Sequence, residues 1–464
     1  MPGSIELRGK RVLVVGLART GVATALFCAR HNARVTASES RTESELGEVP
    51  AKMREAGVQL ELGGHTEKTF LAQDLIVPSP GVPADDPLLV AARAKGITVW
   101  SEIELAYRFL EGRLIGITGS NGKTTTTTLI HHILKAASLE TLLAGNVGTP
   151  LISVIGETTA KTVAVVELSS FQLELIERFR PDIGVLLNLT PDHLDRHKTL
   201  DAYVAAKARI FENQTELDAA VMNADDPLSG RFVTKKPQVF WFSRKRRVNE
   251  GAFLQDDEIF VAHKGNHEFV MNRANIPLVG THNQENVLAA VTAARLAGVD
   301  ASTIAAAVKN FAGVEHRLEF VAEVRGVRYY NDSKATNVDA TLKALDAFPG
   351  RVLIILGGKD KGSDYTVLQQ TLREKAIVAL LIGAAAEKIE TQVQGSRVPL
   401  KRAETLARAV EMASEAARPG DVVLLAPACA SFDQFENYEQ RGRVFKKLVR
   451  GLTQKSTGTS SGKG

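Results

Sequence analysis

Short, continuous apolar runs alternate with longer amphipathic stretches along most of the chain. "RVLVV" (11–15) breaks at the glycine turn "GLARTG", passes through the Ala-rich "ATALFCAR" and resumes at "RVTASES". That order reads as strand, helix, strand. "DLIVPSPGV" (74–82) and "ITVWSEIEL" (97–105) supply further strands before "EGR" (111–113) punctuates the chain. A second series follows with "LIGITGS" (114–120), "TVAVVELSS" (162–170) and "DIGVLLNLT" (182–190), with helical stretches between them. From 237 to 280 the pattern shortens. "QVFWFS", "GAFLQDDEIFVAH" and "HEFVMNRANIPLVG" read as short strands forming a small antiparallel flap, and "NQENVLAAVTAARLAG" as a helix ending at Gly298. A third series contains "GVRYYNDS", "RVLIILGGKDKG", "AIVALLIGAA" and "DVVLLAPACASF". Strands that are apolar on both faces and alternate with helices predict parallel sheets covered on both sides. The expected boundaries are 1–111, 112–314 and 315–453, with "QKSTGTSSGKG" (454–464) as a disordered tail.

Composition changes this picture little. The 464 residues, 44% hydrophobic and 24% charged, suit three globular domains. The net charge of +4 is dispersed, which argues against a nucleic-acid partner, and "RKRR" (244–247) reads as a solvated loop. Cys28 and Cys429 have no CxxC or metal-type spacing, so neither a disulfide framework nor a cysteine zinc site is expected. The first residues lack a signal-peptide core, and no apolar run reaches about 18 residues. We therefore expect no membrane insertion and a cytoplasmic location with ATP at hand.

Two glycine loops carry the candidate chemistry. "GLARTG" (16–21) departs from the dinucleotide fingerprint at Ala18, where a glycine would let the backbone close on a pyrophosphate. Either it is a tight turn, or its helix N-terminus receives a nucleotide diphosphate, with the missing glycine weighing against NAD. "GITGSNGKTTTTT" (116–128) is a variant P-loop, with Ile117 where the pattern asks for glycine. Backbone N–H groups of Gly119, Ser120, Asn121 and Gly122 can surround phosphate oxygens, Lys123 adds a point charge, and the Thr124 hydroxyl can ligate Mg²⁺. Five successive threonines form helix poorly, so the first ones have phosphate or metal work and packing holds the rest.

Polar groups gather where later strands end. Glu167 closes a buried run and suits a Mg²⁺ ligand; Asp192, His193 and Asp195 follow the next strand. Lys207, in "DAYVAAKARIF", reads from spacing alone as a snorkelling or salt-bridged lysine. In the third series Arg317, the post-strand turn holding Asp332, Ser333, Lys334, Thr336 and Asn337, the glycine loop "GGKDKG" and "APACASFDQFENYEQRG" are ligand candidates. The residues alone leave open an ATP-dependent ligase, a P-loop NTPase switch acting through a partner, and an NAD oxidoreductase. Ala18 and the P-loop both weigh against the last.

"TGSNGKTT", "AGNVGTP", "ELSSFQLE", "DHLDRH", "AAKARIF", "THNQEN", "EHRLE", "NDSKATN" and "PACASFDQFENYEQRG" follow one another as in the Mur ligases, and the resemblance spans everything but the tail. The P-loop variant is also similar to that of folylpolyglutamate synthetases. "SSFQLE", "NDSKATN" and "FDQFENYEQRG" resemble the family members that add D-glutamate. The resemblance implies three α/β domains, each with a mainly parallel sheet flanked by helices: a Rossmann-like N-terminal domain for a UDP substrate, a P-loop central domain for ATP, and a Rossmann-like C-terminal domain. It implies a monomer that uses ATP and Mg²⁺ to join D-glutamate to UDP-N-acetylmuramoyl-L-alanine in peptidoglycan precursor synthesis. Carried over residue by residue, it gives ATP to Gly119–Thr125, Asn283, Asn286, Arg317, Asp332 and Lys334. Arg19, Thr20, Glu39, Ser40, Arg41, Ser79, Pro80, Gly81, Asn146 and His193 would hold the UDP substrate. Thr336, Lys361, Ser431 and Tyr438 would receive D-glutamate. Lys123, Glu167, His193 and Lys207 would be catalytic. Metal would fall to Thr124, Glu167, His193 and a Lys207 carbamylated to N6-carboxylysine.

Overall fold

The computed structural model of the protein describes residues 5–146, 148–190, 192–232 and 236–457. Its three sheets follow the three series of apolar runs. The first is fully parallel, in the spatial order Gln59–Leu62, Arg34–Glu39, Arg11–Val15, Leu75–Pro78, Thr98–Val99. The chain winds outward from Arg11–Val15 to one side and then returns to build the other. A crevice therefore opens at the carboxyl ends of Arg11–Val15 and Leu75–Pro78, where ligands of open α/β sheets bind.

The central sheet has nine strands, ordered Asn266–Asn272, Glu258–His263, Gly251–Gln255, Gln238–Ser243, Ala219–Asn223, Ile183–Leu186, Arg113–Thr118, Val163–Glu167, Thr141–Gly145. The 237–280 segment is thus not a separate flap. Gln238–Ser243 lies parallel to Ala219–Asn223, Gly251–Gln255 lies parallel to Gln238–Ser243, and only the last two strands add antiparallel pairs. Extending the sheet satisfies edge N–H and C=O groups that an isolated flap would leave to water. Strand Arg113–Thr118 sits between Ile183–Leu186 and Val163–Glu167, so the P-loop emerges at this sheet's own reversal point. Helix Thr281–Leu296 follows the meander, and Gly298 closes its end at φ +101°.

The third sheet is ordered Glu319–Val324, Val327–Asn331, Val422–Leu425, Val352–Gly357, Ala376–Ile382, Leu400–Glu404, and only its first pair is antiparallel. Helix Tyr438–Thr457 reaches into the segment expected to be a disordered tail, and 458–464 lie outside the described residues.

These three α/β domains are distributed over two compact units, Met1–Asn275 with Gln284–Lys309, and Ile276–Asn283 with Asn310–Gly464. Within the first unit the apolar core runs on between the N-terminal and central sheets. A polar tie accompanies it. Glu104, fully buried on helix Glu102–Tyr107, accepts the backbone N–H groups of Glu177, Arg178 and Phe179 at 2.7–2.9 Å and the Arg108 guanidinium at 2.6 Å. A buried carboxylate with this many donors is well compensated, and it sets one sheet relative to the other. Both cysteines are buried and free, and no helix among the described residues is long and apolar enough to cross a membrane.

Candidate active site

The UDP-substrate candidates of the first series collect at the strand ends of the first sheet, whereas Asn146 and His193 lie with the central sheet. Helix Arg19–Arg30 starts directly after the glycine turn. Gly21 is obligatory there, since a Cβ would lie 1.8 Å from the Gly16 carbonyl oxygen. Ser79 Oγ donates to that same carbonyl at 2.9 Å, stitching "SPG" to "GLARTG". Arg19 is exposed and Thr20 half-buried at the opening of the helix. Glu39 does not wait free for a ribose. Its Oε2 accepts the Leu17 N–H at 2.7 Å and Arg41 Nη2 at 2.9 Å, while Oε1 accepts Ser40 Oγ and the Arg41 N–H and Nε. The Arg41 bonds chiefly, helped by the backbone donors against a desolvation cost, hold its carboxyl down to about 2. Glu39 therefore shapes the loop, with the Arg41 guanidinium held against it and Arg19 exposed beside it.

The P-loop is braced by the neighbouring strand end. Ser120 N–H and Leu187 N–H donate across to Asn188 O and Thr118 O. Asn121 N–H donates to Asn188 Oδ1 while Asn188 Nδ2 donates back to Asn121 O. Ser120 Oγ accepts from Thr190 N–H and from the Tyr203 hydroxyl. Gly122 caps helix Lys123–Ala136 at φ +84°. A Cβ there would meet Asn286 Oδ1 at 2.1 Å, so Asn286 stands against the loop. Lys123 Nζ folds back over the loop, donating to Gly119 O and Ser120 O at 2.8 Å. Thr124 through Thr127 are buried, so packing does hold a helix with weak intrinsic preference.

Glu167 ends its strand almost wholly buried, not exposed. Asn146 is doubly tied to it. Its N–H donates to Glu167 O at 2.9 Å and its Nδ2 to Oε1 at 2.8 Å, while Oε2 has no hydrogen-bond partner. An oriented carboxylate with one buried, unsatisfied oxygen is chemically fit for a divalent cation.

Lys207 overturns its reading from spacing alone. It is 2% exposed and neither snorkels to water nor pairs with a carboxylate within 4 Å among the described residues. Its ammonium lies 4.7 Å from the centroid of the Tyr203 ring. Burial first, and the positive charge of Lys123 second, push it down to about 6, against weaker attraction from Asp192 and Glu167. The helix Leu200–Ala208 buries this face because Tyr203, Val204, Ala206 and Lys207 all point inward. His193 is half-exposed in a left-handed conformation (φ 51°), its ring against Phe171 and its Nε2 3.6 Å from Asp192. Among the described residues no cluster of three or more His, Cys, Asp or Glu side chains is arranged to hold a metal. The candidate set counts a hydroxyl and an amine among its members, and these carry no negative oxygen of their own.

Several contributors were not singled out from sequence. His197, buried, contacts Ser170 Oγ at 2.9 Å and stacks on Phe171. Arg196 donates to the carbonyls of Pro80, Gly81 and Val82 and to Glu174, and lies over the Phe171 ring. It thereby joins "SPG" to "DHLDRH". Tyr203 precedes Lys207 by one helical turn, a spacing that marks the pair as neighbours.

In the second unit three turns leave adjacent strands of the third sheet. "NDSKATN" follows Val327–Asn331, "PACAS" follows Val422–Leu425, and "GGKDKG" follows Val352–Gly357. They hydrogen-bond to one another: Ala428 N–H to Ala335 O, Lys359 N–H to Ala430 O, and Ala430 N–H to Lys359 O. Burial raises the Asp332 carboxyl to about 7, opposed by Arg317, the Leu318 N–H and Lys334. Lys334 Nζ is 5.5 Å from the Tyr438 ring centroid. Thr336 is half-buried, Ser431 buried, and Lys361 exposed beside Asp360, which Tyr365 and Lys388 hold. Asn337 is a helix cap, its Oδ1 accepting from Ala340 N–H at 2.8 Å, and Asn283 Nδ2 donates to Val279 O.

The chain is similar to known proteins along its length. The chain matches family models described as Mur ligase MurD-like, N-terminal domain (10–101), Mur ligase middle domain (117–294) and Mur ligase, glutamate ligase domain (316–429). It is 53% identical to the UDP-N-acetylmuramoylalanine–D-glutamate ligase of Koribacter versatilis, over 97% of this chain and 99% of that one. It is 54% identical to the protein of that name from Acidobacterium capsulatum, over 96% and 97%. Among solved structures it shares its fold with the UDP-N-acetylmuramate-alanine ligase MurC of Thermotoga maritima (TM-score 0.59, 19% identity, 95% of this chain and 99% of that one). The pseudomurein peptide ligase type C of Methanothermus fervidus gives a TM-score of 0.57 at 18% identity, over 96% and 100%. With end-to-end identity above half to such relatives, and the braced P-loop, buried acid and buried lysine in place, the chain belongs to the Mur ligase family.

Proposed function

We propose that the protein is an ATP-dependent ligase that forms the amide between UDP-N-acetylmuramoyl-L-alanine and D-glutamate. The observation that supports this reading is the presence of two separate glycine loops, each at the reversal point of its own sheet, with Glu167 and Lys207 buried near the second. One loop serves the UDP group and the other ATP. A carboxylate is a poor electrophile, so its oxygen first attacks the γ-phosphorus of ATP and ADP leaves. The neutral D-glutamate amine then attacks the acyl carbon, phosphate leaves with the carboxylate's oxygen, and the nitrogen gives up one proton to solvent and keeps the other as the amide N–H. The chain's part is to position reactants and stabilise charge.

Lys123 releases its loop carbonyls to meet phosphoryl oxygens, and the donors of Gly119 to Thr125 join it, except that the Ser120 and Asn121 N–H groups already serve Asn188. Glu167 and the Thr124 hydroxyl would hold Mg²⁺, which neutralises charge on the phosphoryl oxygens. A neutral, buried Lys207 amine is nucleophilic toward CO₂. Forming its N–C bond and losing a proton gives a carbamate whose oxygens, with His193, would serve a second cation. Asn146 and His193 would touch the muramoyl part, and Arg19, Thr20, Glu39–Arg41 and Ser79–Gly81 the UDP part. Asn283, Asn286, Arg317, Asp332 and Lys334 complete the ATP set; Thr336, Lys361, Ser431 and Tyr438 receive D-glutamate. Residues 1–111, 112–314 and 315–453 form the corresponding domains of a cytoplasmic monomer. The test offers D-glutamate, L-glutamate and diamino acids separately to the purified protein with ATP, Mg²⁺ and UDP-N-acetylmuramoyl-L-alanine. A condensed product mass with D-glutamate alone is expected; condensation with a diamino acid instead contradicts the assignment.

A further inference from the structure

Arg441 is the largest fully buried side chain among the described residues, and the hydrogen-bond partners found for it are neutral oxygens. Nε donates to Ser333 Oγ at 3.0 Å, Nη2 to Ser333 O at 2.9 Å and Cys429 O at 3.2 Å, and Nη1 to Ala430 O at 3.4 Å. Ser333 Oγ spends its own hydrogen on Tyr438 O at 2.8 Å. One guanidinium thus links three stretches: the turn bearing Lys334 and Thr336, the turn ending at Ser431, and the first turn of helix Tyr438–Thr457. Burying a charge without a counter-ion is costly unless its donors are satisfied. Burial lowers this group to about 10 against the attraction of the nearby Asp433 carboxylate, so it remains a cation at neutral pH. An apolar side chain would fill the same volume at less cost. The planar fork meets what a junction of three turns requires, a rigid donor facing several carbonyls at once.

We propose that Arg441 is a positioning residue for the acceptor amino acid, fixing the spacing of Thr336, Ser431 and Tyr438. This rests on the D-glutamate reading above. Lysine at this position keeps the charge but has neither the fork nor the reach to span both turns.

The experiment compares wild type, Arg441→Lys and Ser333→Ala, measuring kcat and the separate KM values for ATP, the UDP substrate and D-glutamate. For Arg441→Lys the D-glutamate KM rises about tenfold or more, the scale of one charge-assisted hydrogen bond, while the KM for the UDP substrate holds within about twofold. Ser333→Ala, which keeps the cation but cuts its tie to Tyr438, gives a smaller rise of the same kind. A D-glutamate KM unchanged in both variants, or all three KM values rising together, overturns the proposal. If Arg441→Lys does not fold, Ser333→Ala decides alone: a selective rise supports it, and no rise overturns it. Wild-type enzyme that forms no product with D-glutamate overturns the acceptor reading itself, whereas an active wild type with unshifted variants defeats only the role given to Arg441.

Discussion

Glu39 offers a test of how the first glycine loop is built. Glutamine at this position keeps the size of the side chain and removes its charge. The carboxylate is 5% exposed and serves the Leu17 N–H, the Ser40 hydroxyl and the backbone and guanidinium of Arg41. An amide must turn an N–H toward some of these donors, so at least one buried bond is lost. The folded-state carboxyl is held at about 2 against 4.5 in the unfolded chain. At about 1.4 kcal/mol per unit this corresponds to about 3 kcal/mol. Arg41 is 45% exposed and water screens it, so we expect about 1–2 kcal/mol. Because the folded value is depressed, the contribution is complete above the unfolded value of 4.5 and is lost as pH falls toward 2. Urea unfolding of wild type and Glu39→Gln should differ by that amount at pH 7, and the gap should narrow on acidification below about pH 5. The KM for the UDP substrate should rise with the loss of loop order, and the KM for ATP should not. Equal stabilities at neutral pH, or a gap that ignores pH, would refute the reasoning.

Three further perturbations address the central domain. Gly122→Ala places a Cβ against Asn286 in a left-handed conformation and should weaken ATP binding about tenfold or more, read by calorimetry; unchanged affinity contradicts the close approach. Arg196→Ala frees the carbonyls of Pro80, Gly81 and Val82 and leaves Glu174 without its cation, so stability should fall by about 2–3 kcal/mol and the UDP-substrate KM should rise, both absent if the clamp is incidental. Lys207→Met should lower kcat at least about 100-fold without destabilising the ligand-free protein, because neutralising a buried ammonium already costs the wild type stability below its unfolded pKa. Thermal melts should show the wild type gaining on the variant between pH 7 and 9.5, and a less stable variant at pH 7 contradicts this.

The three sheets were legible because strands buried on both faces are apolar throughout, and "VLIIL" or "VAVVE" leaves little choice. The glycine turns were legible because close approaches such as those at Gly21 and Gly122 admit no side chain. The 237–280 segment was not, since its shorter runs specify strands but say nothing of which edge they join. Lys207 shows the same limit in another form. Small and apolar neighbours on a helix suit a snorkelling lysine and a buried one equally, and only the packing of Tyr203 and the P-loop distinguishes them. Glu39 was found as an acid in the right place, yet its occupation by Leu17 and Arg41 is a tertiary fact. Arg441 stood within a quoted motif without a role, because nothing in the chain signals a cation whose partners are carbonyls of distant turns.

The central claim is that an acid group is activated by the terminal phosphoryl of ATP before the amine displaces it. The most direct measurement supplies UDP-N-acetylmuramoyl-L-alanine with oxygen-18 in its carboxylate and follows the label by mass spectrometry of the released phosphate. We expect one labelled oxygen in the phosphate for each amide formed, with release dependent on D-glutamate. Unlabelled phosphate accompanying amide formation, or ADP release indifferent to the acceptor, would contradict the account.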